Sequence, residues 1–238
     1  MSNSLIDINS LKIEIGATEL ISSLDLSLNS NERIGITGPS GCGKTTLLKY
    51  LLKIHSGKED SSKVSLKKGL SIAYMPQSEG LLPWFSLIKN LEVYSNNQDI
   101  IKNTLEELGL ENNKYSFPTQ MSGGESQRAL LATAIVSKPD LFIADEPLTE
   151  LDLANKWNIL EYWSKEISKV NSTLLLVSHD IETLIYLCDK VIVLTDKPST
   201  IKGTMNVVET HPRLKEFIVS NNYLDYKSEL VELINGKL

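Results

Sequence analysis

Between residues 5 and 28 apolar side chains recur at strand spacing: Leu5, Ile6 and Ile8, then Leu11, Ile13 and Ile15, then Leu24, Leu26 and Leu28. Gly16 and Asn29-Ser30-Asn31 interrupt them with turn residues, so the pattern predicts an antiparallel β element at the front of the chain. Arg33-Ile34-Gly35-Ile36-Thr37 then reads as a short buried strand, and Leu47, Leu48, Leu51 and Leu52 follow at helical spacing. Residues 56–70 are rich in Lys, Ser and Gly and predict a surface loop or hairpin. Further buried strands are predicted at Ser71–Met75, Leu141–Ala144, Leu174–Val177 and Lys190–Leu194. Residues 78–137 read as mostly helical. One apolar face carries Leu87, Ile88, Leu91 and Val93; another carries Ile100, Ile101, Leu105, Leu108 and Leu110; a helix over Ala129–Val136 follows. After Thr195 the chain turns polar, and Leu224, Leu230, Val231, Leu233 and Ile234 predict a short amphipathic helix. No internal repeat or low-complexity segment interrupts this order.

Composition narrows the possibilities. A chain of 238 residues, 41% hydrophobic, suits one sizeable α/β domain with an inserted subdomain. A formal net charge of -6 supplies no electrostatic footprint for nucleic acid. The apolar runs are strand-sized, well short of the roughly 20 residues that span a bilayer. Met1-Ser2-Asn3-Ser4 does not begin a basic-then-apolar leader, so no signal peptide is expected. The 2 cysteines, Cys42 and Cys188, lie far apart and predict no disulfide framework. A cytosolic protein that reaches membranes through a partner is expected.

The chemistry concentrates in Gly38-Pro39-Ser40-Gly41-Cys42-Gly43-Lys44-Thr45-Thr46, which fits the phosphate-binding loop pattern G-x-x-x-x-G-K-[ST] between a strand and a helix. The glycines let successive backbone N–H groups turn toward phosphate oxygens, and the helix start adds its positive end. Lys44 is the point charge for the β- and γ-phosphates and the Thr45 hydroxyl a magnesium ligand; Cys42 and Thr46 read as small spacer and helix residue. Leu141–Glu146 is an apolar strand ending in two carboxylates that must point in different directions. Asp145 is expected to serve the metal and Glu146 to act as general base. Gln77, after Pro76 at the end of a core strand, can reach a metal or an attacking water. Ser122-Gly123-Gly124 opens an apolar helix and reads either as a second anion-binding helix start or as a capping box with Glu125. His179 follows another strand. Gln77, Asp145-Glu146 and His179 are thus expected along one carboxyl edge of a sheet, where α/β proteins bind ligands.

Taken together, residues 5–200 resemble the ATPase subunit of ABC transporters. In that family the loop at Gly38–Thr45 is Walker A, Gln77 the Q-loop glutamine, Met121–Glu125 the signature, Leu141–Glu146 Walker B with its catalytic glutamate, Leu151-Asp152 the D-loop and His179 the switch histidine. The resemblance implies a RecA-like phosphate-loop core with an N-terminal antiparallel β element (1–77 and 138–200), an inserted α-helical subdomain (78–137) and a C-terminal tail (201–238). It implies ATP and Mg2+ as cofactors, with Thr45, Gln77 and Asp145 on the metal. It also implies a head-to-tail homodimer on ATP binding, in which each nucleotide lies between Walker A of one copy and Ser122-Gly123-Gly124 of the other, with Asp152 reaching across. Leu81–Phe85, in a Leu-Leu-Pro-Trp segment, looks like importer ATPases for nitrate, sulfonates and taurine. The family pattern there places two transmembrane permease subunits, a separate solute-binding protein and a location at the cytoplasmic face of the membrane. A non-transport ABC-type ATPase is the alternative. Departures are Ile15 near the position of an adenine-stacking aromatic, Glu125 for the usual glutamine, Thr133 for arginine and Glu150 before the D-loop.

Overall fold

The computed structural model describes residues 4–59, 62–77, 80–149 and 153–236. The front of the chain forms β1 (Ser4–Ile15) and β2 (Thr18–Asn29), paired antiparallel as the alternation predicts. Next come β3 (Arg33–Thr37), α1 (Lys44–His55), β4 (Val64–Leu66) and β5 (Ile72–Met75). From Leu87 to Ser137 the regular elements are helical: α2 (Leu87–Glu92), α3 (Gln98–Glu107) and α4 (Gly123–Ser137). The chain continues through β6 (Leu141–Asp145), α5 (Leu153–Val170), β7 (Thr173–Val177), α6 (Ile181–Leu187), β8 (Lys190–Leu194), β9 (Ile201–Asn206) and α7 (Asn221–Asn235).

Two sheets result. The first has the order β2-β1-β4 and the second β5-β6-β7-β3-β8-β9, parallel except for β9. The inner strands β6, β7 and β8 are covered on both sides, which is why they read as unbroken apolar runs. Alternate residues face opposite layers. Ile34, Ile143 and Leu175 pack with Leu47, Leu48 and Leu51 of α1 and with the small sheet, so α1 is enclosed between the sheets. Phe142, Leu174 and Leu176 pack on the other side, with α4, α5 and α6. Gly35 faces that second layer, and a Cβ there would lie 2.6 Å from Leu184 Cδ2, so α6 can approach β3 only because the side chain is missing.

Some apolar positions depart from the periodicity. Val93 is 53% exposed, just past the end of α2. Leu224 also points outward, while Tyr223 is buried and Tyr226 packs against the core. Leu230, Leu233 and Ile234 turn inward as the pattern predicts, and the two tyrosines complete that face of α7. Beyond residue 200 the polar stretch contains a strand. β9 pairs with β8 at the sheet edge, where only one face needs to be apolar, and Met205 alone in it is fully buried.

Candidate functional site

Register across the large sheet fixes what can meet. Asp145 pairs with Val177 and Ile36 with Val177, so the tips of β6, β7 and β3 form one row. Met75 pairs with Ala144, which places Pro76 and Gln77 beside the same row. The carboxyl edge therefore carries Gln77, Asp145-Glu146, Ser178-His179 and the start of the loop at Gly38, as the strand pattern predicts.

The loop from Gly38 to Gly43 joins β3 to α1. Gly43 precedes α1 at φ 105, a conformation that L side chains resist, and a Cβ there would lie 3.2 Å from Ile21 Cγ1. No side chain caps the start of α1 and its first turn holds no acid, so the first N–H groups and the positive helix end are left for an anion. Lys44 folds back over the loop, and Nζ donates to the carbonyl oxygens of Gly38 at 2.7 Å and Pro39 at 2.9 Å. Ser40, Gly41 and Thr46 complete the span, and Cys42 is buried within it.

Asp145 is 1% exposed, and neither carboxylate oxygen has a hydrogen-bond partner in good geometry. Burial raises its pKa; the facing Thr45 hydroxyl, Lys49 and Lys44 pull it down, while neighbouring Glu146 pushes it up. Two bare anionic oxygens beside a threonine hydroxyl suit a magnesium ion, which binds through one or two protein groups and takes its remaining ligands from phosphate and water.

Glu146 has a left-handed backbone at φ 51, a strained state for a residue with a Cβ. Its Oε2 is gripped from β7 side: His179 Nδ1 lies at 2.8 Å, the His179 N–H at 3.3 Å and the Ser178 hydroxyl at 3.4 Å. The His179 side chain is nevertheless 69% exposed and faces outward beyond the glutamate.

Gln77 is exposed and lines a cavity of about 470 Å³ with Leu81, Pro83, Gly123 and Leu130. It thus sits between the strand edge and the helical segment; the described residues record no bond from it to Thr45 or Asp145. Ser122 caps α4 in a reciprocal box: its hydroxyl accepts from the Glu125 N–H at 3.3 Å, and Glu125 Oε2 accepts from the Ser122 N–H at 2.8 Å. Backbone and side-chain hydrogen bonds from Ser122, then one from Asn113, lower the Glu125 pKa and keep it ionised. Among the described residues no hydrogen bond joins Ser122, Gly123 or Gly124 to the Gly38–Thr46 loop. Asp152, with Glu150 and Leu151, lies outside the described residues. Ile15 is 59% exposed beside the β1–β2 turn, with no aromatic ring in its place.

A phosphate-cradling loop, a buried metal-ready carboxylate and a strained glutamate on one sheet edge define a phosphate-loop nucleotide hydrolase. A family model described as ABC transporter matches residues 21–149. Aliphatic sulfonates import ATP-binding protein SsuB 1 of Paracoccus denitrificans is 31% identical over 201 residues, covering 83% of this chain and 81% of its own. An uncharacterised ABC transporter ATP-binding protein of Methanocaldococcus jannaschii is 29% identical, covering 92% of this chain and 85% of its own. Among solved structures, an ATP-binding subunit of an ABC transporter aligns with TM-score 0.73 at 22% identity, over 96% of this chain and 99% of that one. A dimeric post-hydrolysis ATP-binding cassette bound to ADP and phosphate aligns with TM-score 0.69 at 20% identity, over 86% of this chain and 100% of that one. The chain belongs to the ABC transporter family as an ATP-binding subunit, and is an ABC-type ATPase.

Sequence reasoning missed two contacts at this edge. Ser199 bonds the carbonyl of Cys42, and Lys156 grips Asp180 beside His179. Ser199 ends the Asp196-Lys197-Pro198-Ser199 stretch, which resembles the importer subfamily, but no local signal marks a serine or lysine that will be buried.

Proposed function

We propose that the chain drives an importer, binding Mg2+ and ATP at the Gly38–Thr46 loop and coupling nucleotide-dependent pairing of two copies to uptake of a small solute. The observation that carries the catalytic reading is Asp145 with Glu146: one carboxylate bare and buried opposite Thr45, the next held by His179 at the tip of the adjoining strand. In this reading Lys44 and the loop N–H groups hold the phosphates. Asp145, Thr45 and Gln77 would hold magnesium, which supplies charge neutralisation at the phosphates when bound. Glu146 polarises the attacking water, and His179 supports the γ-phosphate.

The anion-ready start of α4 supports pairing. Among the described residues Ser122, Gly123 and Gly124 make no bond to the loop, so in this reading a second copy supplies the triphosphate they would meet, with Asp152 at the same junction. The importer reading draws on the sulfonate import ATP-binding relative, which matches over most of both chains; nitrate- and taurine-type solutes belong to the same proposed class. Two permease subunits would receive the Leu81–Phe85 turn, with a separate solute-binding protein outside. No helix among the described residues is long and apolar enough to cross a membrane, which fits a peripheral place at its cytoplasmic face. The same reading divides the chain into a nucleotide core (1–77 and 138–200), a helical signature subdomain (78–137) and a tail (201–238).

Glu146→Gln tests the proposal directly. Removing a general base costs roughly 10²–10⁴-fold in turnover. The variant is expected to hydrolyse ATP that much more slowly and to elute from size-exclusion chromatography as a dimer in ATP and a monomer in ADP. Wild-type turnover would remove Glu146 as the base, and a monomer under every nucleotide condition would remove the pairing.

A further inference from the structure

We propose that Lys156 is a positioning residue for ATP hydrolysis, which sets the Ser178–His179 turn, and through it Glu146, by clamping Asp180. The inference rests on the roles given above to Glu146 and His179.

Lys156 lies in the first turns of α5, and its side chain is 8% exposed. A buried ammonium demands anionic partners, and it has two: Asp180 Oδ2 at 2.6 Å and Glu182 Oε2 at 3.3 Å. Both acids belong to the start of α6, which follows β7 directly. Asp180 is also the cap of that helix and bonds the Thr183 hydroxyl. Burial would raise the Asp180 pKa, but Lys156 and Thr183 hold it below the usual range, so the pair is ionic.

From Asp180 the chain of contacts runs straight to the glutamate. The Asp180 N–H donates to Ser178 Oγ at 3.0 Å, and the Ser178 hydroxyl donates to Glu146 Oε2 at 3.4 Å. His179, the residue between them, meets the same oxygen through both ring and backbone. All three contacts fall on Oε2, so the rotation of the carboxylate depends on where the turn sits. Lys156 is the one cation buried at that turn among the described residues. A second feature ties it to the rest of α5: Trp157, its neighbour, packs edge-on against Tyr186 of α6 at 5.7 Å. That apolar contact can hold α5 to α6 without the ion pair. The ion pair is thus a second link between α5 and α6, and it is the one that reaches Asp180 and the backbone beside it.

The test compares Lys156→Met, Lys156→Arg, Asp180→Asn and the Met/Asn double variant, in steady-state ATP hydrolysis, nucleotide binding and thermal unfolding. Misplacement of a reacting group from a distance reduces turnover with little change in binding. Lys156→Met is expected to lower kcat roughly tenfold or more, with KM for ATP and the affinity for a fluorescent ATP analogue within twofold of wild type. Lys156→Arg should restore most of the turnover, since it keeps a cation at the carboxylate. The double variant should lose no more than the worse single, because both break one link. Wild-type kcat in folded Lys156→Met would overturn the proposal. So would a loss of kcat matched by an equal loss of ATP binding, which marks a purely structural ion pair, or additive losses in the double variant, which show that Lys156 does not act through Asp180. If Lys156→Met fails to fold, Asp180→Asn decides on the same criteria, with Lys156→Arg expected to keep most of the turnover. Glu146→Gln in the same assay separates the two readings: if it retains full turnover, the role of Glu146 fails on its own account.

Discussion

The hydroxyl of Ser199 lies 2.8 Å from the carbonyl oxygen of Cys42, joining the segment after β8 to the floor of the phosphate loop. The same hydroxyl reaches the Leu20 carbonyl at 3.1 Å, and Ser199 is fully buried. One side chain thus ties together β2, the loop and the far end of the sheet. Ser199→Ala leaves the Cys42 carbonyl buried without its donor, which costs about 1–3 kcal/mol. The expected result is a fall in melting temperature of several degrees, at roughly 2–4 °C per kcal/mol for a chain of this size. A severalfold rise in KM for ATP should accompany it, as the loop loses its brace. Thermal unfolding and ATP titration of the same sample check this; wild-type values of both would show the contact to be idle.

Asp145 presents the opposite case, a buried carboxylate whose oxygens have no well-aligned hydrogen-bond partner among the described residues. Its folded pKa is raised by burial, so the stability tied to its protonated form is present below the unfolded pKa and is lost as pH rises through the folded value. At neutral pH the ionised side chain therefore burdens the fold. Asp145→Asn removes the charge at nearly constant volume, and a neutral amide is less costly to bury than a carboxylate. Without ligand, the variant should melt above wild type. Wild type should gain about 2.7 kcal/mol from Mg-ATP at a hundred times its dissociation constant, and the variant should lose most of that increment. Melting curves with and without Mg-ATP give both numbers. A variant less stable than wild type when free, yet equally stabilised by Mg-ATP, contradicts the assignment.

What the sequence discloses about this site follows the range of each interaction. The phosphate loop spells itself out over contiguous residues because backbone torsion and helix start are local. The strand tips at Gln77, Asp145 and His179 are legible because buried parallel strands read as apolar runs that stop abruptly. Ser199 and Cys42 are separated by 157 residues, and only the packing of β2 against the loop brings them together. Lys156 is equally silent, since a lysine in a helix is ordinarily solvated. The start of α4 could be read as cap or anion site, and within one chain the Ser122–Glu125 box is what forms. In α7 the inward face belongs partly to tyrosines that a count of aliphatic residues overlooks.

On the opposite edge of the sheet, His211 is enclosed by cations. Arg33 of β3 approaches its Nδ1 at 2.9 Å and Ser164 of α5 lies at 3.5 Å. Asp189, ahead of β8, lies 3.1 Å from Nε2 but is poorly aligned, and Arg213 faces the cluster as well. Burial, with Arg213 and Arg33, outweighs Asp189 and lowers the His211 pKa from 6.5 to about 4. An unfolded chain then takes up the proton first as pH falls. Stability is complete above about 6.5 and declines between 6.5 and 4, by up to about 3 kcal/mol. Asp189, whose carboxyl is held low, adds loss in the same direction on further acidification. Urea unfolding at a series of pH values should show this decline in wild type and a flatter profile in His211→Gln; superimposable slopes would assign the acid sensitivity elsewhere.

Trp84 is 67% exposed at the tip of the turn that follows Gln77. Phe85 packs edge-on against it at 6.4 Å, whereas Leu81 leans into the helical core. The turn is stapled from beneath by buried Asn90, which accepts from the Leu82 N–H at 2.7 Å and donates to the carbonyl oxygens of Leu82, Phe85 and Ser86. A large aromatic side chain presented to solvent from a turn whose backbone is fixed is preorganised for a pocket on a partner, and such anchors carry most of an interface's energy. Truncating one costs 2 kcal/mol or more, at least about thirtyfold in affinity. Trp84→Glu should therefore leave basal ATP hydrolysis and thermal stability close to wild type, because exposed positions usually tolerate substitution within about 0.5 kcal/mol. Co-purification with permease subunits should fall by that factor or more. Asn90→Ala should weaken the same association while lowering stability, since it frees the turn and leaves its carbonyls unpaired. Undiminished recovery of membrane subunits with Trp84→Glu would separate this turn from transport altogether.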